Sequence, residues 1–155
     1  MEKPSASAIV DKMYEDDLFS KWLGIDILEK GIGKSILRMT IRHEMVNGFG
    51  VAHGGITYSL ADSALAFACN SQGRESMSIE TSISHTKSCH VGDVLTAEAV
   101  EESLSYKIAV YHISVKNQNN ETVALFKGTV YRTSKTRTFQ TSDGSTPTRC
   151  MVHQP

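Results

Sequence analysis

The stretch NGFGVAHGGITYSLADSALAFACNSQG, which runs from Asn47 to Gly73, determines how the rest of the chain must be arranged. Its first residues form a glycine-rich loop. From Gly54 to about Ser71 it lacks proline and is rich in Ala and Leu, which predicts a long helix closed by Gly73. Apolar residues cover nearly every direction around this helix, and a helix that is apolar all round is buried. We therefore expect a sheet wrapped around it.

Asp62 lies in the middle of this apolar run. A buried carboxylate without a partner is strongly disfavoured, and proteins rarely keep such a residue without a use for it. One interpretation is structural, with Asp62 paired to an arginine or a backbone donor at the edge of the helix. The other is a catalytic or ligand-binding carboxylate, which we favour because perturbed carboxylates concentrate at functional sites.

The tripeptide His53-Gly54-Gly55 stands at the predicted start of the helix. The first N–H groups of a helix have no acceptor within it, and the helix dipole adds partial positive charge there. Glycines allow a ligand oxygen to approach these groups closely. The arrangement suits an acyl carbonyl that becomes an oxyanion during acyl transfer, and it equally suits a phosphate.

The spacing between these two features limits how they can cooperate. Gly54 and Asp62 are about 12 Å apart along the helix, because each residue adds about 1.5 Å. A water that attacks a carbonyl bound at Gly54 must lie within about 3 Å of it, so Asp62 of the same helix cannot easily activate that water. We therefore expect a symmetric dimer in which each Asp62 faces the Gly54 end of the partner's helix.

Segments on both sides of this helix predict an α+β domain. Residues 5–23 predict a helix that Asp16 and Asp17 can break and that Gly24 ends. Its apolar stripe consists of Ile9, Val10, Met13, Leu18 and Trp22. Strands are predicted over residues 25–29, 35–42, 78–84, 94–102, 106–116 and 122–131. The first two form a hairpin, and short turn signals favour antiparallel pairing of the later strands.

Composition bounds the class of protein. The chain has 155 residues, of which 40% are hydrophobic and 21% charged, and its formal net charge is −1. One domain with a substantial core is expected, without a broad nucleic-acid or membrane footprint. We place that domain at residues 1–135. The periodic pattern is lost from Ser134 onward, and the polar residues 136–155, rich in Ser and Thr, predict a disordered tail.

The cellular location of the protein and the redox state of its cysteines are predicted from motifs that the sequence lacks. It shows no signal peptide and no apolar run of the roughly 18 residues that a spanning helix needs. Cys69, Cys89 and Cys150 are odd in number and match neither a disulfide framework nor a zinc site. We expect reduced thiols in a cytoplasmic protein.

The opening stretch closely resembles the hotdog-fold acyl-CoA thioesterases of the phenylacetic acid degradation (PaaI-like) type. The HGG motif, the LAD that follows within the helix and the AFACNSQG ending carry the resemblance, which extends over about residues 18–133. It implies a hotdog fold, in which a curved antiparallel sheet of about six strands wraps around one long helix. It also implies hydrolysis of an aryl- or acyl-CoA, such as phenylacetyl-CoA or hydroxyphenylacetyl-CoA, and a homotetramer built as a dimer of dimers. Coenzyme A is then part of the substrate, and no separate cofactor is expected.

The resemblance assigns roles to five positions. Asp62 corresponds to the catalytic carboxylate, acting as nucleophile or as general base on a water. Gly54 corresponds to the backbone N–H donor to the thioester carbonyl, with His53 beside it. Asn47 corresponds to a loop residue that holds the water or the substrate, and Ser78 to a polar residue that positions the water. From residues alone, Asn47 could instead cap a turn, and His53 could serve a structural role.

Charged residues near strand ends offer a further, weaker prediction. Lys87, Arg132 and Lys135 can meet the phosphates of coenzyme A, although solvated strand-end charges would look the same. His85 and His90 flank Lys87 but lack the spacing of metal ligands, so no metal site is expected.

Three rival functions remain at this stage. A non-catalytic acyl-CoA binder of the same fold would gain nothing from the buried Asp62. A hotdog dehydratase would place its Asp and His differently. A nucleotide-phosphate site lacks the Lys-Ser/Thr ending of a P-loop after the glycines. Within thioesterases, a medium-chain acyl group remains an alternative to an aryl group.

Overall fold

A computed structural model describes residues 3–137 of the chain. Within this range the helices are α1 (Ala6–Asp16), α2 (Leu18–Leu23) and α3 (Gly54–Asn70), with a short 3-10 turn at His43–Met45. The strands are β1 (Asp26–Gly31), β2 (Lys34–Thr40), β3 (Arg74–His85), β4 (Val94–Leu104), β5 (Ile108–Lys116) and β6 (Thr122–Thr136). The predicted order of elements is confirmed.

The strands form one six-stranded antiparallel sheet in the order β1-β2-β4-β5-β6-β3. The expectation that consecutive later strands pair holds for β4, β5 and β6, but not for β3. That strand pairs with β6 and not with β4, because the segment 86–93 crosses the N-terminal end of α3, where Ala52 donates its N–H to the Cys89 carbonyl at 2.8 Å. β3 is therefore a sheet edge, and its outer side pairs with no strand among residues 3–137.

α3 packs against all six strands, as the sequence predicts for a buried helix. Small residues along the helix let the sheet approach closely, and Ser35 of β2 donates its hydroxyl to the Ala64 carbonyl at 2.8 Å. The buried residues that α3 contributes include Leu60, Ala61, Ala64, Leu65, Phe67 and Ala68. Burying each large apolar side chain stabilises the fold by about 1.5–3 kcal/mol, so this contact anchors the domain.

The predicted N-terminal helix is broken at the acidic pair. Asp17 ends α1 and caps α2, accepting a hydrogen bond from the Ser20 N–H at 2.9 Å, and Gly24 ends α2 with a φ of 74°. Two members of the predicted apolar stripe, Leu18 and Trp22, lie at the surface, where they are 78% and 53% exposed. The break changes the helix direction, so that other residues of α2 face inward.

Ser20 and Leu23 are those inward-facing residues, and both are fully buried. The Ser20 hydroxyl lies 2.9 Å from the Ser63 hydroxyl of α3. This hydrogen bond and the Asp17 cap together fix α2 against the central helix.

The last strand is longer than the predicted strand of residues 122–131. β6 continues to Thr136, and Arg137 donates its N–H to the Gly73 carbonyl at 2.8 Å. Ser134 and Lys135 therefore belong to a strand, because they extend the ladder with β3. The predicted tail beyond them, with Cys150, lies outside the described residues. Among residues 3–137, no helix combines the length and apolar character needed to cross a bilayer.

Gly128 allows β6 to approach α3 closely. A Cβ at this position would overlap with the Leu65 side chain, which is itself buried. We expect Gly128→Ala to lower the free energy of unfolding by about 1–3 kcal/mol through overpacking. Urea unfolding measures it, with Gly48→Ala as the control, because a Cβ at Gly48 meets nothing within 4 Å. A Gly128→Ala protein as stable as the wild type would contradict this packing.

Candidate active site

Asp62 points from the middle of α3 into a cavity of about 310 Å³. The side chain is half-buried, and within residues 3–137 it forms no hydrogen bond or ion pair. Burial raises the pKa of this carboxyl above its ordinary value of 3.8. The structural interpretation, an Asp62 paired with an arginine or a backbone donor, thus finds no support in the described part of the chain.

Ser78 lines the same cavity, so the structure brings together these two predicted site residues. Two contacts between α3 and β3 hold it there. The Asn70 side chain donates to the Ser76 carbonyl and accepts from the Ser76 N–H, both at 3.0 Å. The Tyr58 hydroxyl lies 2.6 Å from the Thr81 hydroxyl. Sequence reasoning missed Asn70, whose one signal was its place at the helix end before Gly73.

One part of the Asp62 cavity wall is apolar. Met13, Leu65, Met77 and Val130 contribute to it, which suits the acyl part of a substrate. Cys69 also lines the cavity, but burial raises the pKa of its thiol to about 12. It is therefore a thiol and not a thiolate near neutral pH, which leaves Asp62 as the group able to act as base or nucleophile in this cavity.

At the start of α3 the structure assigns a structural contact to His53. Its exposed side chain caps the helix, because Nδ1 accepts a hydrogen bond from the Gly55 N–H at 2.9 Å. The sequence predicted free N–H groups at the start of α3, and this prediction is wrong for Gly55, whose N–H is bonded to His53. The Gly54 N–H has no acceptor among residues 3–137, and Gly54 lines a second cavity of about 320 Å³.

Asn47 adopts the turn-capping geometry that the sequence left open. Its Oδ1 accepts from the Phe49 N–H at 2.9 Å, and its own N–H donates to the Val51 carbonyl at 2.8 Å. The side-chain NH2 has no acceptor among the described residues, so it is available as a donor. Asn47 lines neither of the two cavities described above.

The two cavities share no lining residue. Asp62 and Ser78 open to one, and Gly54 opens to the other. Along α3, Gly54 and Asp62 are about 12 Å apart. One subunit therefore carries both halves of the predicted site but does not bring them together.

The three cationic side chains predicted to bind the phosphates of coenzyme A do not lie together in one subunit. Lys87 lines the Gly54 cavity and forms an ion pair with Glu121. Arg132 lies opposite Ser76 in the ladder, at the far end of the sheet, and donates to the Ser105 carbonyl at 2.6 Å. Lys135 continues β6 beyond Arg132. Residues 3–137 contain no group of side chains arranged to hold a metal ion.

Comparison with known proteins identifies the family. The family model described as "Thioesterase superfamily" matches residues 49–124. The acyl-coenzyme A thioesterase PaaI of Escherichia coli is 41% identical over 126 residues, which is 81% of this chain and 90% of that protein. The chain belongs to the PaaI-like family of hotdog-fold acyl-CoA thioesterases.

Solved structures agree with this family and with the hotdog fold. The structure of E. coli PaaI, a protein from the phenylacetic acid degradation operon, superposes on this PaaI-like protein with a TM-score of 0.83. The two are 40% identical, and the match covers 84% of this chain and 95% of that one. The smu.793 protein of Streptococcus mutans, solved with acetyl CoA bound, matches with a TM-score of 0.71 and 26% identity, covering 73% and 91% of the two chains.

The raised pKa of Asp62 makes a prediction about stability. Because the folded-state pKa lies above the unfolded value, ionisation of Asp62 destabilises the fold at pH values above both, and this penalty is absent below about 3.8. We expect Asp62→Asn to raise the Tm at pH 7, with a gain that shrinks as the pH falls toward 4. Thermal unfolding across this range measures it, with the exposed Asp26→Asn as control. A gain that does not depend on pH would contradict the assignment.

Proposed function

We propose that this PaaI-like protein hydrolyses the thioester of an acyl-coenzyme A to the free acid and coenzyme A. The observation that carries the proposal is the unpaired Asp62 carboxylate, which faces a cavity with a partly apolar wall. Family membership supports the same reaction. A phenylacetyl-type acyl group is proposed on the likeness to E. coli PaaI, and a medium-chain acyl group is the alternative.

In the proposed mechanism, the Gly54 N–H and the α3 dipole stabilise the oxygen that becomes negative as the thioester carbonyl is attacked. Asp62 then acts in one of two ways. As a general base it takes a proton from water, whose oxygen attacks the carbonyl carbon before the C–S bond breaks. As a nucleophile it forms an acyl anhydride as the thiolate leaves, and water then hydrolyses the anhydride. The Ser78 hydroxyl and the Asn47 side-chain NH2 help to hold the water and the substrate.

The active site is proposed to be shared between two subunits. β3 offers the surface for pairing, because this edge strand exposes Met77 and Ile79 by 60% and 58%, and an unpaired apolar edge readily takes up another strand. α3 runs antiparallel to β3, since Gly54 lies beside His85 and Asn70 beside Ser76.

Distances along β3 favour this pairing. Within one subunit, Ser78 and His85 are about 23 Å apart along the strand. Antiparallel pairing of two copies near the middle of β3 places the Ser78 half of one strand beside the His85 half of the other. Each Asp62 cavity then approaches the partner's Gly54 cavity. Two such dimers would form the proposed homotetramer.

Replacing Asp62 tests the reaction. We expect Asp62→Asn to fold normally and to lose about 100- to 10,000-fold in kcat, because the amide can neither accept the proton of water nor attack the thioester. Release of coenzyme A from phenylacetyl-CoA and from a medium-chain acyl-CoA gives kcat and kcat/KM, and their ratio assigns the acyl group. Asp26→Asn is the control. A wild-type protein that binds but does not hydrolyse these thioesters, or an active Asp62→Asn variant, would contradict the proposal.

Mixed dimers test the shared site. Asp62→Asn removes the carboxylate, and Gly54→Ala places a Cβ 3.1 Å from the His85 ring, which narrows the cavity beside the Gly54 N–H. We expect each variant to be inactive alone. Co-expression from differently tagged chains should give heterodimers with about half the wild-type turnover, because one of their two sites is intact. Inactive heterodimers would show that each site lies within one subunit.

A further inference from the structure

His85, at the end of β3, lies beside the Gly54 backbone. Its Nε2 is 3.1 Å from the position that a Cβ would occupy at Gly54, and both residues line the 320 Å³ cavity. The side chain is exposed and forms no hydrogen bond within residues 3–137. A ring nitrogen without a protein partner among the described residues therefore lies beside the unpaired Gly54 N–H.

The distance between these two groups permits a common acceptor. A Cβ lies about 2.5 Å from the nitrogen of its own residue, so Nε2 of His85 is at most about 5.6 Å from the Gly54 nitrogen. One oxygen can accept hydrogen bonds of about 2.9 Å from two donors if these are less than about 5.8 Å apart. A single carbonyl oxygen can therefore reach both.

Three other polar groups of this cavity are less suited to the same oxygen. The Lys87 ammonium is paired with Glu121. Burial raises the pKa of the Cys89 thiol, which is a weak donor. Thr57 also lines the cavity, but its side chain is only 4% exposed, which limits the access of a ligand oxygen to its hydroxyl.

We propose that His85 is a second hydrogen-bond donor to the thioester carbonyl oxygen, acting together with the Gly54 N–H. This rests on the proposed thioesterase reaction and adds a residue to it. His85 transfers no proton. A ring with a proton on Nε2, neutral or cationic, donates a hydrogen bond that strengthens as the carbonyl becomes an oxyanion.

Kinetics of His85 variants give the first test. We expect His85→Phe, which keeps a ring without a donor, to lower kcat about 10- to 100-fold while KM changes little. His85→Gln retains an N–H near the same place and should recover most of this loss. His85→Ala repeats the test without the ring. His90→Phe is the matched control, since His90 is an exposed histidine of the following loop that does not line the cavity.

Binding of two substrate analogues separates a donor from a residue that only shapes the cavity. One is a ketone with CH2 in place of the thioester sulfur, which keeps the carbonyl oxygen. The other is an S-alkyl-CoA thioether with CH2 in place of the carbonyl. Titration calorimetry should show that His85→Phe and His85→Ala weaken the ketone several-fold and leave the thioether unchanged. Equal weakening of both, or a kcat within twofold of the wild type, would overturn the proposal.

Asp62→Asn, measured in parallel, distinguishes two kinds of failure. If Asp62→Asn is inactive while His85→Phe retains full turnover, the role of His85 is wrong and the thioesterase mechanism stands. If Asp62→Asn itself retains turnover, the underlying mechanism fails, whatever the result at His85.

Discussion

The contact between α3 and the sheet constrains every other part of this protein. One helix is buried against all six strands, and its small side chains allow the sheet to approach closely. The approach is closest where Gly128 of β6 faces Leu65 of α3, which leaves no room for a Cβ at Gly128. Each group on α3 is therefore held in a fixed position, because moving the helix would open voids along the sheet. The hydroxyls of Ser20 and Ser35 add hydrogen bonds to this contact from α2 and β2.

A rigid helix that carries both chemical groups also separates them. Gly54 and Asp62 face different cavities, and the rise of the helix between them cannot be shortened. The geometry that stabilises the fold thus leaves the two parts of the proposed site apart in each subunit. The proposed pairing of β3 edges would resolve this, since it turns the separation along one helix into proximity between two.

Much of the fold and part of the site could be predicted from the sequence. The buried helix, its limits, the position of Asp62 and the glycine-rich helix start depend on local periodicity and on the fixed rise of a helix, both of which can be read from neighbouring residues. The break at Asp17 is equally local, because a capping carboxylate ends one helix and begins the next. The offset between Gly54 and Asp62 follows from the same helix geometry.

Only the tertiary structure decided which distant residues meet. It paired β3 with β6, turned Trp22 outward, and put Lys87 and Arg132 at opposite ends of the sheet. It also set the His85 ring beside the start of α3. These outcomes depend on the path of the chain and on packing between segments far apart in sequence, for which local patterns carry no signal. The sequence alone determined where a carboxylate and a glycine-rich helix start lie on one helix, and the fold determined what surrounds each of these candidate reactive features.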